Sequence, residues 1–457
     1  MRSDTPALRA AVRRVMVRLI PFLFLMYVIA FLDRVNIGFA KEEFQAHAGI
    51  SEAAYAFGAG LFFIGYALFE VPSNLIMTRV GARWWMCRIM VTWGLISAAM
   101  SLVNSESLFY LLRFLLGVAE AGFFPGVILY ITYWVPHAYR ARCNALFYFG
   151  IPLASVLGAP LSGALLELDG AAGFLGWQWM FAVEGLIACV VGVWAFFYLD
   201  NSPADARWLT QDQRTALQTA LDAEAESKRG PHRLLASLVD RRVLYFCLIY
   251  FLIQCSVYGM TFYLPTQVSE AVGSEVGLLV GLVTAIPWTV ALVVNIVVNT
   301  AADRLAQPKK RFVAAACVAA GSVGIAASAA FSDPLLAIAG LSVAAAGYIA
   351  VQPVFWTFPA AYLTGTAAAA GIGLINSLGN LGGFVAPVAK TWVESTFDSE
   401  TAGLYLLALC GFAAAALFLT LTKTKDPTTP ANDLDPTREK PQAEDPNPRT
   451  PRDLNPN

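Results

Sequence analysis

The sequence predicts an all-α membrane protein whose twelve transmembrane helices form two pseudo-symmetric six-helix bundles. Three observations lead there. Of its 457 residues, 57% are hydrophobic and only 14% charged, whereas a soluble domain carries about 25% charged residues. Too little charge remains to coat a water-facing surface. Twelve apolar windows each reach the ~20 residues that a helix needs to cross a bilayer, and in lipid a helix satisfies its own backbone hydrogen bonds. Finally, the two halves echo each other. Pro160 and Glu167 in "LGAPLSGALLE" are matched 227 residues later by Pro387 and Glu394 in "FVAPVAKTWVE", and Arg79 is matched 225 residues later by Arg304. A near-constant offset points to internal duplication.

The elements follow in order. Residues 1–15 form a basic tail. The first bundle, 16–199, holds windows 16–40, 56–77, 84–103, 108–134, 144–166 and 177–199. Residues 200–242 are the one long polar interruption. There Thr210 and Gln213 make a T-x-x-Q capping box ahead of "TALQTALDAEAESK", a short surface helix. The second bundle, 243–422, holds windows 243–268, 276–300, 312–331, 334–358, 366–392 and 401–422. Residues 423–457 are rich in Pro, Asp and Asn and poor in apolar residues, so disorder is expected.

Loop charge sets the orientation. Basic residues crowd the N-terminal tail (Arg2, Arg9, Arg13, Arg14, Arg18), the loop after span 2 (Arg79, Arg83), the loop after span 4 (Arg140, Arg142), the central loop and the loop after span 8 (Arg304, Lys309, Lys310, Arg311). The alternate stretches 104–107, 167–176 and 269–275 carry acids and no Lys or Arg. Both termini are therefore expected in the cytoplasm, with the chain in the inner (plasma) membrane. No cleavable signal is expected, because the apolar run from near Val15 is too long and lacks a small-residue cleavage site.

Composition also excludes. The net charge of -1 offers no field for nucleic acid. His47, His137 and His232 are scattered, and the seven Cys form no CxxC pair, so neither a metal site nor a disulfide framework is expected. No P-loop and no Ser/His/Asp constellation is present, so an enzyme is not expected. No cofactor is expected beyond protons as coupling ion.

What remains is charge inside the spans. In "FLMYVIAFLDRVNIGFA", residues 24–40, Asp33 and Arg34 interrupt an apolar run. Intramembrane ionisable groups are costly and mark functional sites. Asp33 lies about 22 Å along its helix from Arg18, and Arg113 and Glu120 lie about 8 and 18 Å beyond Leu108. Arg113 and Glu120, seven residues apart, share a helix face. The four read as a ladder of alternating sign. Arginine presents a planar fork that suits a carboxylate, and a buried carboxyl can load a proton on one side and release it on the other. The competing reading is a static ion-pair cluster pinning spans 1 and 4. Glu70 and Glu184 read as braces between helices.

At this point "FLDRVNIGFA", "FGAGLFFIGYALFEVPSNLI", "RFLLGVAEAGFFPGVILYITYW", "WQWMFAVEG" and "INSLGNLGGFVAP" resemble the anion:cation symporter branch of the major facilitator superfamily. That branch holds permeases for tartrate, phthalate, hydroxyphenylacetate and sugar acids. The resemblance spans residues 12–422 and implies the major facilitator fold. It also implies import of a small organic carboxylate by proton symport, with Asp33 and Glu120 in proton coupling and Arg34 and Arg113 on the substrate carboxylate. Phe31, Tyr258, Gln352, Trp356, Asn376 and Asn380 are the further candidates for the substrate pocket. Arg79, Arg83, Asp303 and Arg304 match the superfamily's loop pattern and are read as gating or structural. The chain departs from that pattern at Asn74 and Thr78, and from sugar-acid relatives at Phe31 and Tyr263, where Tyr and Trp are usual. Phe31, Tyr258, Tyr263 and Trp356 suggest an aromatic or sparsely hydroxylated acid. "GAPLSGA" partly resembles the superfamily's exchanger motif, so an organic-anion exchanger of the same fold is the alternative. The expected partners are the carboxylate and the bilayer, with no nucleic acid, and the chain is expected to act as a monomer.

Overall fold

The computed structural model describes residues 5–136, 139–140, 143, 147, 149–227, 240–363 and 365–421. The expectation of disorder for 423–457 lies outside the described residues.

The first half begins with α1 (Pro6–Val35), which runs into a 3-10 turn at Asn36–Gly38, and a short α2 (Lys41–His47). Then come α3 (Glu52–Val80), α4 (Ala82–Ala99), α5 (Glu106–Glu120), α6 (Phe123–Trp134), α7 (Gly150–Leu166) and α8 (Gly176–Tyr198). A polar helix α9 (Gln211–Ser227) follows. The second half holds α10 (Arg241–Val272), α11 (Leu278–Asp303), α12 (Gln307–Ala330), α13 (Pro334–Tyr362), α14 (Gly365–Asn380), α15 (Gly382–Phe397) and α16 (Ala402–Thr420). α5 with α6, and α14 with α15, each make one crossing in two pieces. Eleven stretches are long and apolar enough to span a membrane among the described residues, and α7 is a shorter apolar helix. The window 144–166 begins in a stretch only partly described.

Local chemistry sets the helix starts. The Thr5 side chain accepts from Leu8 N at 3.2 Å ahead of Pro6, and the Ser51 hydroxyl accepts from Ala54 N at 3.2 Å. Thr210 and Gln213 form the expected reciprocal pair at the start of α9, at 3.2 and 3.4 Å. Asp240 caps α10 through Arg242 N at 2.7 Å and Val243 N at 3.2 Å, and accepts from the Tyr362 hydroxyl at 2.8 Å. Partial burial pushes the Asp240 carboxyl up, but these hydrogen bonds and the charge of Arg242 outweigh it and hold the group below the usual range.

Two hydrophobic cores form. One draws on α1 to α9 together with Tyr258, Phe262 and Tyr263 of α10, and the other on α10 to α16. Large apolar side chains such as Leu68, Val190, Phe197, Val297 and Leu409 point outward, as lipid-facing residues do. The halves meet where small residues allow backbones to approach. A Cβ on Gly281 of α11 would lie 2.3 Å from the Ala159 carbonyl of α7, and one on Gly60 of α3 would lie 2.9 Å from Phe384 of α15. At the end of α1, the Tyr55 hydroxyl donates to the Ile37 carbonyl at 3.0 Å and reaches the Phe262 carbonyl of α10 at 3.4 Å.

Candidate functional site

Arg34 lies in the last turn of α1 and faces a cavity lined by both halves. Its Nη2 donates to Glu120 Oε1, and its Nη1 donates to the Tyr258 hydroxyl at 3.1 Å. The guanidinium lies over the rings of Phe31 (4.8 Å), Phe62 (5.2 Å) and Tyr66 (5.4 Å), which favours the cation electrostatically. Arg34 Nε is buried and has no hydrogen-bond partner. From Tyr258 a polar row continues into the second half. Its hydroxyl reaches Asn380 Oδ1 at 3.5 Å, and Gln254 Nε2 donates to the same oxygen at 3.2 Å.

A helix break positions Glu120. α5 ends there because Ala121 turns extended (ψ 132°) and Gly122 takes φ +84°, a conformation that glycine adopts without strain. Space also demands glycine, since a Cβ at 122 would lie 2.3 Å from Ser73 Oγ. Asn380 likewise ends α14 at the second split crossing. Discontinuous helices that meet at a midplane cavity are a feature of carrier folds.

Among the residues singled out from the sequence, Phe31, Arg34, Glu120, Tyr258, Gln352, Asn376 and Asn380 line the cavity. Asn376 is also engaged by Glu70. Its Nδ2 donates to Glu70 Oε1 at 2.8 Å and Ser377 donates to Oε2 at 2.7 Å, so Glu70 ties α3 to α14.

Three residues lie outside the lining. Arg113 donates to the Ala59 carbonyl at 3.0 Å and the Gly58 carbonyl at 3.4 Å. Phe62 separates it from the cavity, with Arg113 and Arg34 each 5.2 Å from that ring. Trp356 packs edge-on against Tyr250, centroids 5.0 Å apart. Asp33 turns away toward α4 and accepts from Trp93 Nε1 at 2.6 Å and Ser97 Oγ at 2.9 Å. The four-charge ladder is therefore not one array. Arg34 and Glu120 form the cavity pair, and Asp33 and Arg113 sit in separate shells. Tyr263 also lies elsewhere, in a cavity of about 1240 Å³ toward the far end of α10, with Lys41 and Lys390 4.9 and 3.8 Å from its ring.

Of the loop residues, Arg83 braces α4 to α8, with Nε donating to the Phe196 carbonyl and its N–H to Asn201 Oδ1 at 3.0 Å. Arg79 is exposed in the last turn of α3. Asp303 ends α11, with Lys310 3.9 Å away, and Arg304 is the C-cap residue. Gln254, Tyr27 and Tyr66 also line the cavity and were not singled out. Gln254 was within reach of the sequence, since it lies four residues before Tyr258 and so on the same helix face.

The model of the Major Facilitator Superfamily matches residues 23–387. The inner membrane transport protein RhmT of Escherichia coli (strain K12) is 47% identical over 418 residues, which cover 92% of this chain and 96% of that protein. A putative tartrate transporter of Agrobacterium vitis is 42% identical, over 90% of this chain and 94% of its own length. Among solved structures, a D-xylose-proton symporter superposes with a TM-score of 0.70 at 17% identity, covering 89% of this chain and 98% of that one, a likeness of fold. The chain belongs to the Major Facilitator Superfamily, as the motifs implied. It is a multi-pass membrane transporter and not an enzyme.

Proposed function

We propose that this protein imports a small organic carboxylate together with a proton by alternating access around Arg34. The observation that carries the reading is the Arg34–Glu120 pair, held at the junction of the halves with Tyr258 and a free Nε beside it. A substrate carboxylate and the Glu120 carboxylate compete for one guanidinium fork. Protonation of Glu120 ends that competition, so the anion binds Arg34 while the proton rides on Glu120. Two like charges sharing one buried cation are unfavourable, which makes proton and anion travel together. Asp33 serves as a second proton carrier. Arg113 has the narrower role of holding α5 against α3. The basic loops support a cytoplasmic start of α1, and on that reading import runs from the far ends of α1 and α10 inward.

The cavity shifts the substrate preference. Tyr263 and Trp356 lie outside it; aromatic rings such as Tyr27, Phe31 and Trp288 do line it, but beside four amides, Gln254, Gln352, Asn376 and Asn380. Asn376 and Asn380 already have partners, but Gln254 Oε1 is buried without one; an unmet buried group costs about 1–3 kcal/mol, so a substrate hydroxyl suits it better than a bare ring. The reading is therefore a hydroxylated carboxylate, in keeping with the name of the Agrobacterium vitis relatives, rather than an aromatic acid.

Purified protein in proteoliposomes tests this with L-tartrate, D-galactonate and phthalate, with and without an inward pH gradient. Gradient-driven accumulation of a hydroxylated acid is expected. Counterflow that ignores the gradient would instead define an anion exchanger, and binding without translocation would remove the transport reading altogether.

A further inference from the structure

Glu184 of α8 is a fully buried carboxyl that the cavity does not use. Its Oε2 accepts from Asn36 Nδ2 at 2.8 Å, and its Oε1 accepts from Ser162 Oγ of α7 at 2.8 Å. The same Asn36 nitrogen reaches Asp33 Oδ1 at 3.4 Å. Asp33, Asn36 and Glu184 are all almost completely sealed from solvent, at 3%, 0% and 1% exposure. Among the described residues, no Lys, Arg or His pairs with either acid. The other groups that face the pair are few. Glu120 of α5 acts on Asp33 through space, Cys189 lies further along α8, α4 brings Trp93 and Ser97, and α7 brings Ser162.

Two buried carboxylates without a cation repel each other, and neither is solvated. The network is also one hydrogen short, because Asn36 Oδ1 is buried and has no donor. Both acids face Asn36 Nδ2, so a proton on either acid can reach that oxygen only if the amide turns over. A carboxamide that donates to a carboxylate through nitrogen can, turned by half a revolution, accept from a carboxylic acid through oxygen.

We propose that the proton assigned above to Asp33 is held jointly by Asp33 and Glu184, with Asn36 between them, so that Glu184 is part of the coupling machinery although it lies outside the substrate cavity. The proposal rests on the symport reading for its role in transport, though not for its existence. Position gives the site its leverage. Asn36 begins the turn that carries Gly38, whose Cβ would lie 2.9 Å from the Phe262 carbonyl of α10. Gain or loss of the proton acts on the segment where the end of α1 meets the other half.

The test uses full-length protein in lipid. The protonated-carboxyl C=O bands are followed by infrared spectroscopy against pH in a Glu120→Gln background, with Asp33→Asn, Glu184→Gln and the double variant added to assign them. Removal of one acid should make the remaining one lose its proton at a pH lower by at least about one unit, the behaviour of a coupled pair. Each single variant reads the opposite partner, so a folding failure in one leaves the other decisive. If Asp33 and Glu184 titrate identically in wild type and single variants, the shared proton is refuted. In proteoliposomes, Glu184→Gln alone should lower gradient-driven accumulation about tenfold or more while counterflow persists, and unchanged accumulation would refute the coupling role. A wild type that ignores the pH gradient would overturn the symport reading instead, with the infrared result standing by itself.

Discussion

Replacing Arg34 with Lys keeps the charge and removes the fork. The guanidinium engages Glu120 through Nη2 and Tyr258 through Nη1 at 3.1 Å, with Nε unpartnered. A ligand carboxylate can take two parallel N–H groups from such a fork. An ammonium is a compact point donor on a flexible stem, so it keeps one of those bonds while still answering to Glu120. A lost hydrogen bond to a charged group costs roughly 1.5–3 kcal/mol. At 1.4 kcal/mol per factor of ten, affinity should fall about tenfold to a hundredfold. The assay is isothermal titration calorimetry on purified protein with the carboxylate that supports uptake, beside a thermal melt to establish that the variant folds. A Lys variant with wild-type melting and a Kd within about twofold of wild type would refute the claim that Arg34 grips the substrate.

Arg113→Lys should do the reverse. It should leave Kd unchanged but lower the melting temperature, because its bonds to the Gly58 and Ala59 carbonyls are internal. A loss of affinity like that of Arg34→Lys would return Arg113 to the site. Gly117→Ala should destabilise by about 1–3 kcal/mol through overpacking, since its Cβ would lie 2.0 Å from the Phe62 carbonyl. Gly158→Ala, whose nearest contact would be 3.4 Å from Leu32 Cγ, should melt like wild type. Asp240→Ala should cost about 1 kcal/mol at neutral pH through loss of the α10 cap. The folded carboxyl is held below its usual range, so its stabilisation is present above the unfolded pKa of about 4 and is lost as pH falls through the folded value. Melts of wild type and Asp240→Ala should therefore converge in acid.

Much of the fold was legible because hydrophobic length and loop charge are one-dimensional signals. The site was legible only in part, because depth along a helix can be counted whereas azimuth is set by packing. Asp33 and Arg34 are neighbours in sequence, and successive helical residues point about 100° apart. One can face the cavity only if the other faces α4. Arg113 and Glu120 share a face of α5, but two turns separate them and Phe62 fills the gap. Nothing in spacing alone announces that ring. The break after Glu120 had a partial signal in Gly122 and Pro125, yet Gly and Pro recur in many of these helices without breaking them, as at Pro21 and Pro72.

That break has a mechanical consequence. Gly117 and Gly65 let α5 and α3 pack backbone against backbone at the Phe62 and Phe114 carbonyls, a contact that would pass a displacement of one rod directly to the other. α6 continues the same crossing beyond the break at Ala121–Gly122, where the helix is interrupted. Glu120 ends α5, the upper rod of that crossing. If the upper rod tilts during transport, the break would let the carboxyl move relative to Arg34 without the lower rod following, in the manner of an elbow.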